Sequence, residues 1–131
     1  MSQLPDCIFC RWDSDPDQQL VHRAEQALFL QNGRHQDVLV GSGVIIPIRH
    51  VATLFELTSD ELRDTFVLLQ TVKAWMDATY RPDGYNIGWN CGAAAGQEIM
   101  HAHMHVIPRF KDEPYAGRGI RSWLKRDENR R

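Results

Sequence analysis

Three cysteines in 131 residues are too few to staple a disulfide-built miniature fold, and their odd number leaves one thiol without a mate inside the chain. Long apolar runs are also missing. No stretch approaches the roughly 18 to 20 residues that a membrane helix requires, and the opening MSQLPDC has neither the basic start nor the apolar stretch of a secretory signal. The sequence therefore reads as that of a cytoplasmic protein. Nor does one sign of charge dominate. Fifteen Lys and Arg stand against 17 Asp and Glu, a net charge of -2, which singles out neither a nucleic acid nor a membrane, and neither is expected as a partner. No internal repeat and no linker is visible. The length suits a single domain over 1–131, large enough to bury roughly two thirds of the surface its unfolded form exposes.

What is present is ordered. Cys7 and Cys10 form a C-x-x-C, which in a reducing compartment suggests a metal clip or a redox pair. No thioredoxin-like βαβ pattern surrounds it, which weighs against the redox reading. The acidic DSDPDQQ that follows is turn chemistry. Leu20 to Arg23 and Ala27 to Gln31 read as short strands, QNGRHQDVLVGS as an irregular connection, and Gly43 to Pro47 as a buried β-branched strand. From Thr58 the period changes: Leu62, Phe66, Leu69, Val72 and Met76 step by three or four, which predicts a helix of about twenty residues. Thr58 and Glu61 form a capping box at its start, and Arg81-Pro82-Asp83-Gly84 ends it. Strands resume in YNIGWNC, and after the small-residue loop GAAAG comes HAHMHVIP, a strand closed by Pro108. Strands, one long helix and strands again predict an α+β domain with a largely antiparallel sheet. The chain closes on GRGIRSWLKRDENRR, with six Lys or Arg from Arg118 onward; this reads either as a solvated tail or as a grip for phosphate or a partner subunit.

The histidines carry the chemistry. Side chains alternate along a strand, so His101, His103 and His105 are expected in a row on one face, with Ala102, Met104 and Val106 turned into the core. A single histidine there would be an ordinary surface or hydrogen-bonded residue. Three in register point either to metal binding or to nucleophilic and acid-base catalysis, because crowding disfavours protonating all of them and keeps at least one neutral near pH 7. Just upstream, the backbone N-H groups of Gly92 to Gln97 could approach an anion, with Asn90 and Gln97 as flanking donors.

The stretch from Tyr85 to Arg109, with Asn90, Gly96-Gln97 and His101-x-His103-x-His105-x-x-Pro108-Arg109, resembles the histidine-triad (HIT) superfamily of nucleotide hydrolases and transferases. Ile46-Pro47-x-x-His50-Val51 and Cys7-Ile8-Phe9-Cys10 are similar to further segments of that family. The likeness covers about Cys7 to Arg109 and leaves the C-terminal basic tail, 110–131, outside it. It implies a HIT-like fold, an antiparallel sheet of about five strands with one long helix and a short helix. It implies a hydrolase or nucleotidyl transferase, homodimeric, for substrates of the dinucleoside polyphosphate or nucleoside phosphoramidate type. His103 would then be the nucleophile at the α-phosphorus, with His105, Asn90 and Gln97 on the phosphate and leaving-group oxygens. Cys7, Cys10, His50 and His101 would be the ligands of a structural zinc. Asn32 and Asp37 are both candidates for the ribose. Glu98, where many members have Ser or Thr, is expected to point away from phosphate. Two other readings compete: a nucleotide-binding regulatory or scaffold protein with little turnover, and a catalytic metal site in which all three histidines are ligands.

Overall fold

Thr58 caps the long helix as its sequence predicts. Its hydroxyl accepts the Glu61 N-H at 3.1 Å, and the Glu61 carboxylate accepts the Thr58 N-H at 2.8 Å, which satisfies two donors at the start of the helix. The computed structural model describes residues 4–131, and in it helix α1 spans Ser59–Tyr80, ending at Arg81 in the left-handed conformation (φ 52°). Pro82 cannot continue it.

The inward face of α1 differs from the expected stripe. Glu61, Thr65, Leu68, Val72 and Met76 are buried, whereas Leu62 and Phe66 are 47% and 58% exposed. Two polar residues account for the shift. Glu61 turns inward to receive the Arg49 guanidinium in two bonds of 2.8 and 2.9 Å, and the Thr65 hydroxyl donates to the Glu61 carbonyl at 2.8 Å. A pattern read from apolar residues alone therefore follows the outer edge of the buried face over the first half of the helix.

Five strands form one antiparallel sheet: β1 (Gln18–Arg23), β2 (Ala27–Asn32), β3 (Gly43–Pro47), β4 (Gly84–Trp89) and β5 (Met104–Arg109), in the order β1-β2-β3-β5-β4. Alternation splits the core in two. Ala27, Phe29, Ile45, Met104 and Val106 meet Leu68, Val72 and Met76 of α1, while Leu28, Leu30 and Ile46 point to the other face and pack with Phe9. Side chains of this size contribute roughly 1.5 to 3 kcal/mol each when fully buried. That second face carries the site.

Other elements depart from expectation in detail. β1 starts two residues early, at Gln18, and β4 ends at Trp89. The histidine strand begins only at Met104, so His101 and His103 precede it. Ala102 gives its N-H to the Val51 carbonyl at 2.7 Å, and Pro47, at the end of β3, has no N-H with which to extend the ladder. Pro108 does not close the strand, which runs on to Arg109; β3 has already left β5, its last pairing being Gly43 with Val106, so no neighbour requires the missing N-H on that side. The short helix is not an α-helix: apart from α1, the helical pieces among the described residues are three-residue 3-10 turns such as Leu54–Glu56. No helix among them is long and apolar enough to cross a membrane.

Candidate active site and metal-ligand cluster

The approach to β5 places two imidazoles differently. His103 Nδ1 lies 2.8 Å from the His101 carbonyl; a carbonyl only accepts, so Nδ1 carries the proton and Nε2 keeps its lone pair. Its ring lies 5.1 Å from Phe9 and 4.9 Å from His105. Burial holds His103 below the ordinary histidine value, opposed by the bond to the His101 carbonyl. His105 is lowered by burial first and by neighbouring His103 second. Both rings border a cavity of about 400 Å³, with Phe9, Asn32, Ser42 and Asn90 also in its wall.

His101 is fully buried and faces elsewhere. Its Nε2 donates to the Pro47 carbonyl at 2.8 Å, which leaves Nδ1 as the acceptor, 3.5 Å from both the Cys7 and the Cys10 sulfur. Burial, aided by His50 and His103, pushes it down to about 4 against the pull of the Pro47 carbonyl. His50 Nδ1 lies 3.3 Å from Cys10 Sγ and 3.2 Å from His101 Nδ1. One donor atom from each of Cys7, Cys10, His50 and His101 therefore lies within 4.8 Å of the other three, a set that could hold a metal ion. Burial also pushes the Cys10 thiol up, an effect that a cation between the sulfurs would reverse. The triad is thus divided: one ring joins the cysteines and two join the cavity.

The small-residue loop is built on glycine. Gly92 and Gly96 take φ values of 92° and 93°, a region closed to most other residues. Gln97 holds the loop together rather than facing a ligand: its Oε1 accepts the Gly92 N-H at 2.8 Å, and its Nε2 donates to the carbonyls of Ala52 and Ile99 at 2.6 and 3.0 Å. Both amide hydrogens are committed, so the phosphate contact expected of Gln97 has no free donor. Asn90 does line the cavity, because it lies two residues beyond Gly88, the partner of His105, and so shares its face. Asn32 is in the wall too, its Oδ1 accepting the Arg34 N-H at 2.9 Å, while Asp37 is exposed outside the lining. Glu98 is exposed and sits at the rim. Sequence reasoning missed Arg34, His35 and Ser42, which also border the cavity. The loop that brings them is folded by Gln36, whose amide spans the Asn32 and Ser42 carbonyls and the Gly41 N-H, a bond pattern with no periodic signal.

Comparison with known proteins adds the family. Residues 38–112 match the model of the HIT domain. The bis(5'-nucleosyl)-tetraphosphatase [asymmetrical] of Schizosaccharomyces pombe is 34% identical over 91 residues, covering 70% of this chain and 50% of that protein. The chain thus spans half the length of that relative. Among solved structures, SMU.412c from Streptococcus mutans UA159 superimposes with a TM-score of 0.77 at 27% identity over 91% of this chain and 75% of that one. A Zn-bound histidine triad family protein from Mycobacterium smegmatis shares the fold with a TM-score of 0.70 at 23% identity, over 87% and 82% of the two chains. With a fold, a divided triad and a matched family model in agreement, the chain belongs to the HIT domain family.

Proposed function

We propose that this protein is a nucleotide hydrolase or nucleotidyl transferase that opens dinucleoside polyphosphates or nucleoside phosphoramidates at the α-phosphorus through a covalent intermediate on His103. The observation that carries the reading is the His103 ring, neutral at Nδ1-H and bearing its Nε2 lone pair in the wall of the cavity. In the first step Nε2 forms a bond to the α-phosphorus as the bond to the leaving-group oxygen of a polyphosphate, or to the nitrogen of a phosphoramidate, breaks; the electron pair departs on that atom, and the nitrogen takes up a proton from solvent to leave as the neutral amine. The His101 carbonyl, accepting from Nδ1-H, stabilises the positive ring that results. His105 and Asn90 donate to phosphate oxygens as charge builds on them. Water then attacks the same phosphorus, the P-N bond breaks, the water's proton passes to the departing products, and the ring regains its lone pair. With phosphate or another acceptor in place of water, the same residues perform transfer.

The donor set of Cys7, Cys10, His50 and His101 suits zinc. A tetrahedral ion with ordinary Zn-S and Zn-N bonds would hold two nitrogens about 3.3 Å apart and a sulfur and a nitrogen about 3.5 to 3.6 Å apart. The observed separations are 3.2 Å between nitrogens and 3.3 to 3.5 Å between sulfur and nitrogen. Four protein ligands leave no position open, so when bound the ion supplies a structural clamp. The named activity of the fission-yeast relative and the zinc of the mycobacterial neighbour support these readings.

We read the chain as one domain that works as a homodimer. Leu62, Phe66 and Leu69 of α1 join Trp89 and Met104 around an open apolar depression, beside a strand, β4, whose second edge is unpaired among the described residues. A second copy of the chain would cover both.

The test is to mix the protein with diadenosine tetraphosphate, quench within the first turnover and weigh the intact chain. A nucleotidyl adduct that disappears in His103→Ala, together with loss of turnover, is the expected result. Tight nucleotide binding with neither adduct nor turnover would favour the regulatory or scaffold reading instead.

A further inference from the structure

The segment that reads as a solvated tail is folded back. Arg109, the last residue of β5, is its buckle: the guanidinium donates to the Tyr115 and Arg118 carbonyls at 2.8 and 2.7 Å, to the Asn86 side chain on β4, and to Glu113 at 2.7 Å. Glu113 also accepts the Phe110 N-H at 2.9 Å, and Gly117, at φ 87°, makes the turn. The result is a strap laid across the outer part of β4. It brings Ile120 over Gly88, where a Cβ on the glycine would lie 3.6 Å from Ile120 Cδ1.

Beneath Ile120 is a second depression of about 290 Å³, bordered by Asn86, Gly88, Asn90, His105, Ile107 and Ile120. Asn90, His105 and Ile107 also border the cavity at His103. The two spaces are therefore neighbours that share these three side chains, His105 among them. If the nucleotidyl half occupies the larger cavity, the departing half needs room on the far side of the phosphorus. The chemistry of the second space suits such a group. Its floor is apolar, Ile120 is 63% exposed and free to be covered, and the C-terminal segment that reaches it is basic as a whole. From Lys111 to Arg131 seven Lys and Arg outnumber four Asp and Glu, in a chain whose net charge is -2. Arg118 is held at the strap surface by the rings of Tyr115 and Trp123, 4.5 and 6.0 Å away. An apolar floor with the amides of Asn86 and Asn90 and the His105 ring at its border fits a base and the phosphate that joins it to the reacting centre, and the basic segment that covers it favours an anionic group nearby.

We propose that this depression is the subsite for the leaving half of the substrate, a nucleoside polyphosphate, and that Ile120 and Gly88 decide how large a leaving group the protein accepts. The inference rests on the hydrolase reading above. Its test compares two substrates with the same nucleotidyl half, diadenosine tetraphosphate and adenosine 5'-phosphoramidate, whose leaving group is only ammonia. Ile120→Asp and the strand-compatible Gly88→Val should each lower the ratio of kcat/KM, tetraphosphate over phosphoramidate, tenfold or more. AMP affinity and Tm, read in the same variants, report whether the larger cavity and the fold are intact. An unchanged ratio in both variants would overturn the subsite. So would a wild-type protein that turns over the phosphoramidate but not the tetraphosphate, an outcome that leaves the His103 reaction standing. Turnover of neither substrate removes the reaction itself and the subsite with it.

Discussion

At the scale of single residues, the orientation of an imidazole is decided by the carbonyl it meets. His101 donates through Nε2 and so offers Nδ1 to the cysteines, whereas His103 donates through Nδ1 and offers Nε2 to the cavity. Replacing His103 by Ala should lower turnover at least a thousandfold, about 4 kcal/mol of barrier, while the far-ultraviolet circular dichroism stays that of the native fold. Asn90 and Gln97 look alike in the sequence and should behave differently. Asn90→Ala removes a donor from the cavity wall and is expected to lower kcat by about ten- to a hundredfold with little change in Tm. Gln97→Ala strands the Gly92 N-H and two carbonyls, and should cost about 1 to 3 kcal/mol of stability in a urea titration, with activity falling as a consequence of a loosened loop. The gathering of Cys7, Cys10, His50 and His101 follows what the resemblance to the family implied, whereas strand alternation alone, which puts all three histidines in one row, does not give their division between the cysteines and the cavity. The commitment of the Gln97 amide was not legible either, since it depends on carbonyls at Ala52 and Ile99 that only folding brings near.

At the scale of elements, the start of α1 shows how an ion pair can displace an apolar pattern. Arg49 and Glu61 tie the end of β3 to the helix, one residue before His50. The Arg49 hydrogen bonds hold the Glu61 carboxyl below the usual carboxylate value of 4.5, against the effect of burial. A carboxylate with a lower pKa in the folded state than in the unfolded one stabilises the fold fully above its unfolded value and loses that contribution as the pH falls. Stability should therefore decline below about pH 4.5, and Glu61→Gln should flatten that part of the profile while costing about 1 to 3 kcal/mol at neutral pH. Chemical denaturation at several pH values measures both; an identical acid slope in the variant would refute the assignment. The helix itself was readable from its cap and its stop. Its rotation was not, because the inward-facing Glu61 and Thr65 are invisible to an apolar count.

At the scale of the whole molecule, distant segments converge on one face of the sheet: the turn at Cys7 to Cys10, the loop after β2, the residues following β3, the histidine approach and the strap. Removing metal with a chelator is expected to lower Tm by about 10 °C or more, restored by added zinc. Phe66→Asp, on the exposed side of α1, should convert a dimer to a monomer in sedimentation experiments without unfolding it. The strap escaped sequence analysis for a plain reason: Arg109, Glu113 and Gly117 form a closed network of polar and turn residues, and a basic run carries no mark that separates such a network from free chain. One arrangement near the other end has a broader consequence. Ile8 and Phe9 stand between the two cysteines in sequence and in the wall of the cavity in space, so one four-residue turn supplies both two of the four candidate metal ligands and part of the cavity wall. Thermodynamic linkage makes any coupling between the two sites reciprocal; a metal that fixes this turn in the shape the cavity needs should tighten AMP binding, and AMP should tighten zinc by the same factor, which titrations of AMP with and without zinc would measure.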